Sequence, residues 1–472
     1  MSKKAKIAIV GGGVAGASTA LYLSGLGLDI TLFERETSLV NGPPFCHLHA
    51  GGNLYPDISD AQCIKLLKQS IDFLRFYPNV VDYRPTVISL PIYCSSKPHN
   101  LLPRLKKLQK EYERLIESDP QNRVLGESKE YYKLYTKEQI LEIQNGKINH
   151  ELDKWMISVS QNIDLSTIQF PLILVQEYGL NLFRLGAGVR LALEKSQKVN
   201  VKLNTTVIDI KKDNNQWNIT YQKDKNSKRE SFDYLINATG FRTGTIDDFL
   251  DIPCKKMVEF KAAYVTKWEQ HKTTLFPEII FHGERGTPQG MGQFTPYPNG
   301  YFQLHGMTND ITLYEDGLVV NSPISCQPQL GQNFIEKIEK SWSQDEVEQR
   351  TKSAIRHLSK FIPTFKEAKV GSKPLFGAQQ IPGDDPSLRV AEVSFPTDIY
   401  ARCEIVKVSS IIDMIDAIVN KLIDIGYVSK KIQFDSMIDL DEEDITALAE
   451  QICEEREYPK MLAHRSVLKY KR

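Results

Sequence analysis

Residues 6–36 read KIAIVGGGVAGASTALYLSGLGLDITLFERE, and three changes of pattern within this stretch decide the fold. Lys6–Val10 is a short β-branched run, the next six residues are rich in glycine, and Ala17–Leu26 has the alanine and leucine content of a helix. A second apolar run, Asp29–Phe33, follows at once. The order is strand, turn, helix, strand. Gly11, Gly13 and Gly16 supply GxGxxG at the turn, with Val14 and Ala15 inside it. The first glycine permits the tight turn, the second lets backbone approach a pyrophosphate, and the third lets helix and strand pack closely. The helix N-terminus then faces the phosphates. Glu34, followed by Arg35, stands 18 residues beyond Gly16, where a carboxylate meets ribose. A glutamate there favours free hydroxyls over a 2′-phosphate. The stretch is a dinucleotide-binding βαβ unit, and by itself it does not separate NAD from FAD.

Outside this stretch the bulk composition removes several classes. Lys+Arg and Asp+Glu total 59 each over 472 residues, so no overall field attracts polyanions and no nucleic-acid partner is expected. A 41% hydrophobic share with 28 Gly and 23 Pro is that of a globular chain, large enough for one big domain or two to three ordinary ones. Seven cysteines are scattered singly, an odd number without a CxxC pair, which argues against a disulfide framework or a zinc site. A reducing, cytoplasmic setting is expected, with no metal. The N-terminal lysines precede an apolar run too short for a signal peptide. No stretch approaches the length of a membrane span, which leaves peripheral membrane contact open.

Further along, FCHLHAGGNLYPD (Phe45–Asp57) places His49, Gly51 and Gly52 in one loop, whose backbone N–H groups can meet a phosphate or a ring edge. Asn237-Ala238-Thr239-Gly240 closes an apolar strand with small residues, so backbone can pass close to a dinucleotide. GAGVRL (Gly186–Leu191) lacks the third glycine of a second nucleotide motif and sits in a helical pattern from Arg184 to Leu193. No CxxxxC redox pair lies beside Cys46. Asp60–Phe76 reads as an amphipathic helix, and Asn100–Ser118 as another, interrupted at Pro103. Alternating runs between Lys256 and Val320, with a Pro298-Asn299-Gly300 turn, read as antiparallel sheet. In the charged tail, Asp441 and Asp444 can begin a helix by capping and dipole compensation, with packing or oligomer contact as its role.

Taken in order, these segments resemble the D-amino-acid oxidase-like (DAO) superfamily of FAD-dependent oxidoreductases. NVKLNTTVIDI (Asn200–Ile210) is similar to the family strand that meets adenine near Thr206 and Val207, FDYLINATGF (Phe232–Phe241) to its ATG strand, and Phe361–Leu388 to its flavin-covering segment. The resemblance implies FAD as cofactor, and an α/β fold with a Rossmann-type FAD-binding domain and an inserted antiparallel-sheet α+β substrate domain. The FAD-binding domain is then discontinuous, over 1–95, 150–255 and 360–425. The substrate or cap domain takes 96–149 and 256–359, and 426–472 is a C-terminal helical extension. The implied activity is oxidation of a small amine or alcohol by hydride transfer to flavin, with oxygen or quinone as acceptor. The alternatives are a flavin-holding binding or assembly protein and an NADH-linked flavin reductase.

Such chemistry needs little acid-base machinery. On the expected sheet, Arg285, Tyr297, Tyr301 and His305 are candidates to bind a polar substrate, with His305 also able to take a proton. Lys256, Lys261 and Lys267 are candidates to place positive charge near the flavin. Two departures stand out. Gly377-Ala378-Gln379-Gln380 offers glutamine where carboxylate-binding relatives place arginine, which puts an acid substrate in doubt. YARCEIVKVSS (Tyr400–Ser410) lacks the family's glycine-rich turn, leaving Lys407 or the Ser409-Ser410 helix start as an electrostatic substitute. Covalent flavin attachment would fall to His47, His49 or Cys403.

Overall fold

The computed structural model describes residues 4–42, the main chain of 45–47, and residues 58–432 and 440–467. Its first layer is a six-stranded sheet in the order Val393–Thr397, Tyr400–Cys403, Tyr234–Asn237, Lys6–Val10, Asp29–Phe33, Val199–Lys202. All neighbours are parallel except the first pair. Lys6–Val10 lies near the middle, paired through Val10 to Phe33 on one side and to Asn237 on the other. Its last four residues are buried, as a strand covered on both faces requires. The helix Val14–Leu23 is buried from Ala15 onward, and Ala17 and Ala20 are fully inaccessible within the same apolar core. Strands drawn from residues 6–33, 199–237 and 393–403 thus form one layer, with the rest of the chain threaded between them.

The second large sheet runs Leu318–Val320, Lys256–Lys267, Tyr301–Gly306, Gly292–Tyr297, Glu278–Phe281, Thr86–Ser89, Leu172–Val175, Tyr132–Tyr135. Lys256–Lys267 also pairs with Leu375–Pro382, from Lys256 opposite Pro382 to Ala263 opposite Leu375. Three of these strands, Thr86–Ser89, Leu172–Val175 and Leu375–Pro382, fall within the ranges assigned by sequence to the nucleotide layer. Asn299 (φ 59°) and Gly300 (φ 70°) make the left-handed turn between Tyr297 and Tyr301.

Two local readings change. Asn200–Ile210 is two strands: Val199–Lys202 ends the parallel layer, the chain turns through Asn204 (φ 53°), and Thr206–Asp213 opens a separate three-stranded meander. Pro103 interrupts nothing. It sits in the first turn of the helix Leu102–Ser118, where its missing N–H has no partner to lose. Asp60–Phe76 is helical over its expected range, capped by Ser59 Oγ accepting from Gln62 N–H at 3.2 Å.

The tail is integral. Asp441 caps Glu442–Glu455 by accepting from the N–H groups of Glu443 (2.7 Å) and Asp444 (3.3 Å). Glu442 pairs with both Arg184 and Arg465, and Asn181 Nδ2 donates to Leu462 O at 2.8 Å. Ile445, Ala449, Ile452 and Cys453 share an apolar cluster with Phe183 and Ala187. Among the described residues no helix is long and apolar enough to cross a membrane.

Candidate functional site

A cavity of about 2070 Å³ runs between the two sheets. Ordinary small-ligand sites span roughly 300–1,000 Å³, so this one has room for a dinucleotide and a further small molecule.

At one end the glycine turn forms the wall. Gly11 has φ +100°, and a Cβ there would stand 2.5 Å from Ala238 O, while a Cβ on Gly16 would stand 1.9 Å from Gly11 O. Both positions are closed to any side chain. Gly13 is the opposite case: nothing lies within 4 Å of its Cβ position, and the residue lines the cavity. As N-cap of Val14–Leu23 it offers no side-chain acceptor, so the first-turn N–H groups of Val14 and Ala15 are left for whatever fills the cavity.

Glu34 stands on the same rim, 9% exposed. Its Oε2 accepts from Gly12 N–H at 2.6 Å and its Oε1 from Glu36 N–H at 2.8 Å. Burial raises its pKa and these two N–H groups pull it back down. A carboxylate accepts about four hydrogen bonds, so two remain for ribose hydroxyls. Thr205 N–H donates to Glu34 O at 2.8 Å, which fastens the Thr205–Val207 edge of the cavity to this rim. Ala238, Thr239 and Gly240 complete it. Their turn is held by fully buried Asn237, whose Nδ2 donates to Thr243 O and Tyr400 Oη at 2.9 Å and whose Oδ1 accepts from Thr239 Oγ1 at 2.8 Å. Arg35 also lines the cavity, paired with Glu36 (3.0 Å) and Glu339 (3.6 Å), which line it too. Among the described residues, helix N–H groups without a partner, a buried acceptor and a glycine with open space beside it fit a dinucleotide.

At the other end the antiparallel sheet is the wall. Lys261, Arg285 and His305 line it with Gln293 and Gln303, and Lys407 joins from the segment before Ile411–Asp424. Glu259 accepts from Lys261 at 2.8 Å and from Arg285 Nη2. Burial lowers the Lys261 pKa, with Glu259 opposing and Lys407 reinforcing. Burial, then Lys261, hold His305 down at about 3 despite Glu259, so its imidazole is neutral at ordinary pH and a weak proton acceptor.

The structure separates the remaining candidates. Tyr297 and Tyr301 lie outside the cavity lining, packed against the cluster that the tail helix forms with Phe183 and Val265. Tyr297 Oη donates to Gln303 Oε1 at 3.2 Å, and Tyr301 lies under Lys267 Nζ, 4.1 Å from the ring centroid. Lys256 is buried away from the cavity, 3.2 Å from Asp247 and 2.6 Å from Thr243 Oγ1. Of the three lysines only Lys261 reaches the lining. Gln379 and Gln380 line the cavity, but Gln380 is committed to the scaffold, accepting from Thr243 Oγ1 at 2.8 Å and donating to Cys403 O at 2.9 Å. Cys403 lies on the lining. His49, Gly51 and Gly52, and the side chains of Cys46 and His47, lie outside the described residues. Gln293 and Gln303 were not singled out by sequence, although the alternation placing His305 on this face places them beside it. Nothing in the sequence pointed to Glu455–Tyr458, which bring the tail to the cavity.

Residues 6–161 match the family model DAO, FAD dependent oxidoreductase. This match, to an FAD-dependent oxidoreductase family, covers the glycine turn and Glu34. Similar folds recur among solved flavoenzymes. The glycerol-3-phosphate dehydrogenase of Bacillus halodurans, complexed with FAD, is 12% identical, covering 97% of this chain and 74% of its own at a TM-score of 0.58. The L-α-glycerophosphate oxidase of Mycoplasma pneumoniae, with FAD bound, is 14% identical over 93% and 99%, at 0.58. NikD, an amino acid oxidase of nikkomycin biosynthesis, is 10% identical over 93% and 97%, at 0.60. At these identities the likeness is one of fold. No curated protein matches the chain. The likeness extends to the mixed architecture: a parallel sheet carrying the glycine turn and an antiparallel sheet inserted across it.

Proposed function

We propose that this DAO-type chain oxidises a small polar amine or alcohol held against the antiparallel sheet, and passes the electrons to oxygen or a quinone. One observation carries the reading: a single cavity joins the glycine turn and Glu34 to the wall of Lys261, Arg285, His305, Gln293 and Gln303. FAD, when bound, would supply the electron sink for hydride from the substrate carbon. The chain supplies position and field. Gly11, Gly13, Val14, Ala15 and Gly16 would set backbone against its pyrophosphate, Glu34 would take ribose hydroxyls, and Val207 with Ala238, Thr239 and Gly240 would border the adenosine side. Lys261 and Arg285 both pair with Glu259, Lys407 adds positive charge beside Lys261, and Arg285 retains hydrogen-bonding capacity for a polar substituent. With His305 neutral, a donor arriving as its free amine or alcohol needs no strong base from that residue.

Anaerobic mixing of the holoprotein with a panel of small amines, alcohols and hydroxy acids tests the reading. Bleaching of the visible flavin band by at least one amine or alcohol supports it. Bleaching by NADH instead favours a reductase. No bleaching by any member, while dithionite still reduces the flavin, favours a binding or assembly protein.

A further inference from the structure

We propose that Cys254 and Cys326, distant in sequence and away from the cavity lining, form a thiol couple that hydroperoxide closes to a disulfide, clasping the cavity rim. Cys254 stands just before the strand Lys256–Lys267, and Cys326 follows its antiparallel partner Leu318–Val320, with Met257 opposite Val320. That pairing brings the two flanking loops side by side. Cys254 N–H donates to Cys326 Sγ at 3.1 Å, and Cys254 Sγ lies 3.9 Å from Cys326 O, so each residue's backbone meets the other's sulfur.

The backbone around them is already fixed. Asn321 Nδ2 donates to Cys254 O at 3.1 Å and to Ser325 O at 3.0 Å, while Asp248 accepts from Ser325 Oγ and Cys326 N–H, both at 2.6 Å. Closure therefore calls for side-chain rotation within loops that are held together beforehand.

Burial pushes the Cys254 thiol up to about 12, and the first attack is assigned to Cys326, whose sulfur accepts Cys254 N–H at 3.1 Å and whose thiol donates to Ile252 O at 3.2 Å. As the Cys326 sulfur attacks a peroxide oxygen it gives up its thiol proton, the O–O bond breaks, and the departing hydroxide takes that proton and leaves as water, with a sulfenic acid on Cys326. Cys254 sulfur then attacks Cys326 sulfur; the Cys254 proton and the sulfenic hydroxyl leave as a second water. Two thiols are oxidised to one disulfide and one hydrogen peroxide is reduced to two waters.

The next residue connects this couple to the rim. Gln327 Oε1 accepts from Thr245 N–H at 3.2 Å, Gln327 Nε2 donates to Phe241 O at 2.9 Å, and Phe241 and Thr245 line the cavity. A Cβ on Gly244 would stand 2.2 Å from Cys326 O, so the loop already bears on this turn. Tying Cys326 to Cys254 restrains the turn beside Thr239 and Gly240 and slows cofactor release. That last consequence rests on the FAD site proposed above; the disulfide does not.

The test uses the wild-type holoprotein, treated with hydrogen peroxide, alkylated with N-ethylmaleimide, digested and analysed by mass. The expected result is a linked Cys254–Cys326 peptide pair that dithiothreitol separates, and FAD release several-fold slower from the oxidised protein. In Cys326→Ser the link is lost and peroxide leaves release unchanged. Alkylation of both cysteines after peroxide, or linkage of either to another cysteine, overturns the couple. A Cys254–Cys326 link with unchanged release overturns the clasp.

Discussion

The two ends of the cavity are built in opposite ways. At the glycine end the wall is mostly backbone from neighbouring positions on adjacent parallel strands, and the carboxylate on its rim, Glu34, is fixed by two N–H groups within three residues of the strand ends. At the sheet end the wall is side chains brought together from residues 259–307 and 377–408, whose burial first, and mutual charges second, shift their ionisation. A backbone cradle is specified by glycines at fixed spacing. A side-chain wall is specified by register and by whatever else packs on the sheet.

The comparison predicts different failures at the two ends. The largest effect belongs to Gly16→Leu: with Gly11 O only 1.9 Å from the Cβ position, the strand and helix must separate, and thermal unfolding should show a loss of about 3 kcal/mol along with the flavin. Glu34→Gln should keep the fold but weaken FAD binding roughly tenfold to a hundredfold, as loss of charged hydrogen bonds worth about 1.5–3 kcal/mol implies; flavin-quenching titration measures it. Arg285→Met should leave that titration unchanged and cut the rate of substrate-driven flavin reduction about tenfold or more, since its exposed guanidinium serves the other end. Equal loss of FAD in Arg285→Met would erase the distinction.

The smallest effect concerns pH. Glu278 is buried under the sheet, accepts from cavity-lining Gln293 at 2.6 Å and pairs with Arg84 at 3.3 Å. Burial, opposed by Arg84, raises its pKa from 4.5 to about 7. Between those values the folded protein holds a proton that the unfolded chain has released, so this group's contribution to stability declines as pH rises through the window. Glu278→Gln removes that decline. Measured by denaturant unfolding, the variant should gain on wild type by about 1–3 kcal/mol between pH 4.5 and 7 and then level off.

The same contrast explains what could be read from sequence. Lys6–Val10, Asp29–Phe33 and the glycines between them were legible because their partners are close in the chain and their geometry is local. The face of the sheet was legible too, because period-two alternation puts Gln293 and Tyr297 on one side of one strand, with Tyr301, Gln303 and His305 opposite them. What alternation cannot say is how far along that face the cavity extends. The tail helix Glu442–Glu455 packs over the turn end and takes Tyr297 and Tyr301 out of the cavity, a contact between segments more than a hundred residues apart. Lys256 was misplaced for a similar reason: its partner Asp247 also binds Tyr400 and Arg402, an association of three chain segments with no sequence signature.

The central claim, that backbone at Gly13 meets the cofactor at a position where the fold itself does not require glycine, is tested most directly by Gly13→Leu. No atom lies within 4 Å of the Cβ position, so the side chain has space only in the cavity itself. The protein should purify with wild-type circular dichroism and an unchanged melting point relative to wild-type apoprotein, without flavin, and added FAD should not restore the visible band. A Gly13→Leu protein that retains a full complement of FAD would contradict the account.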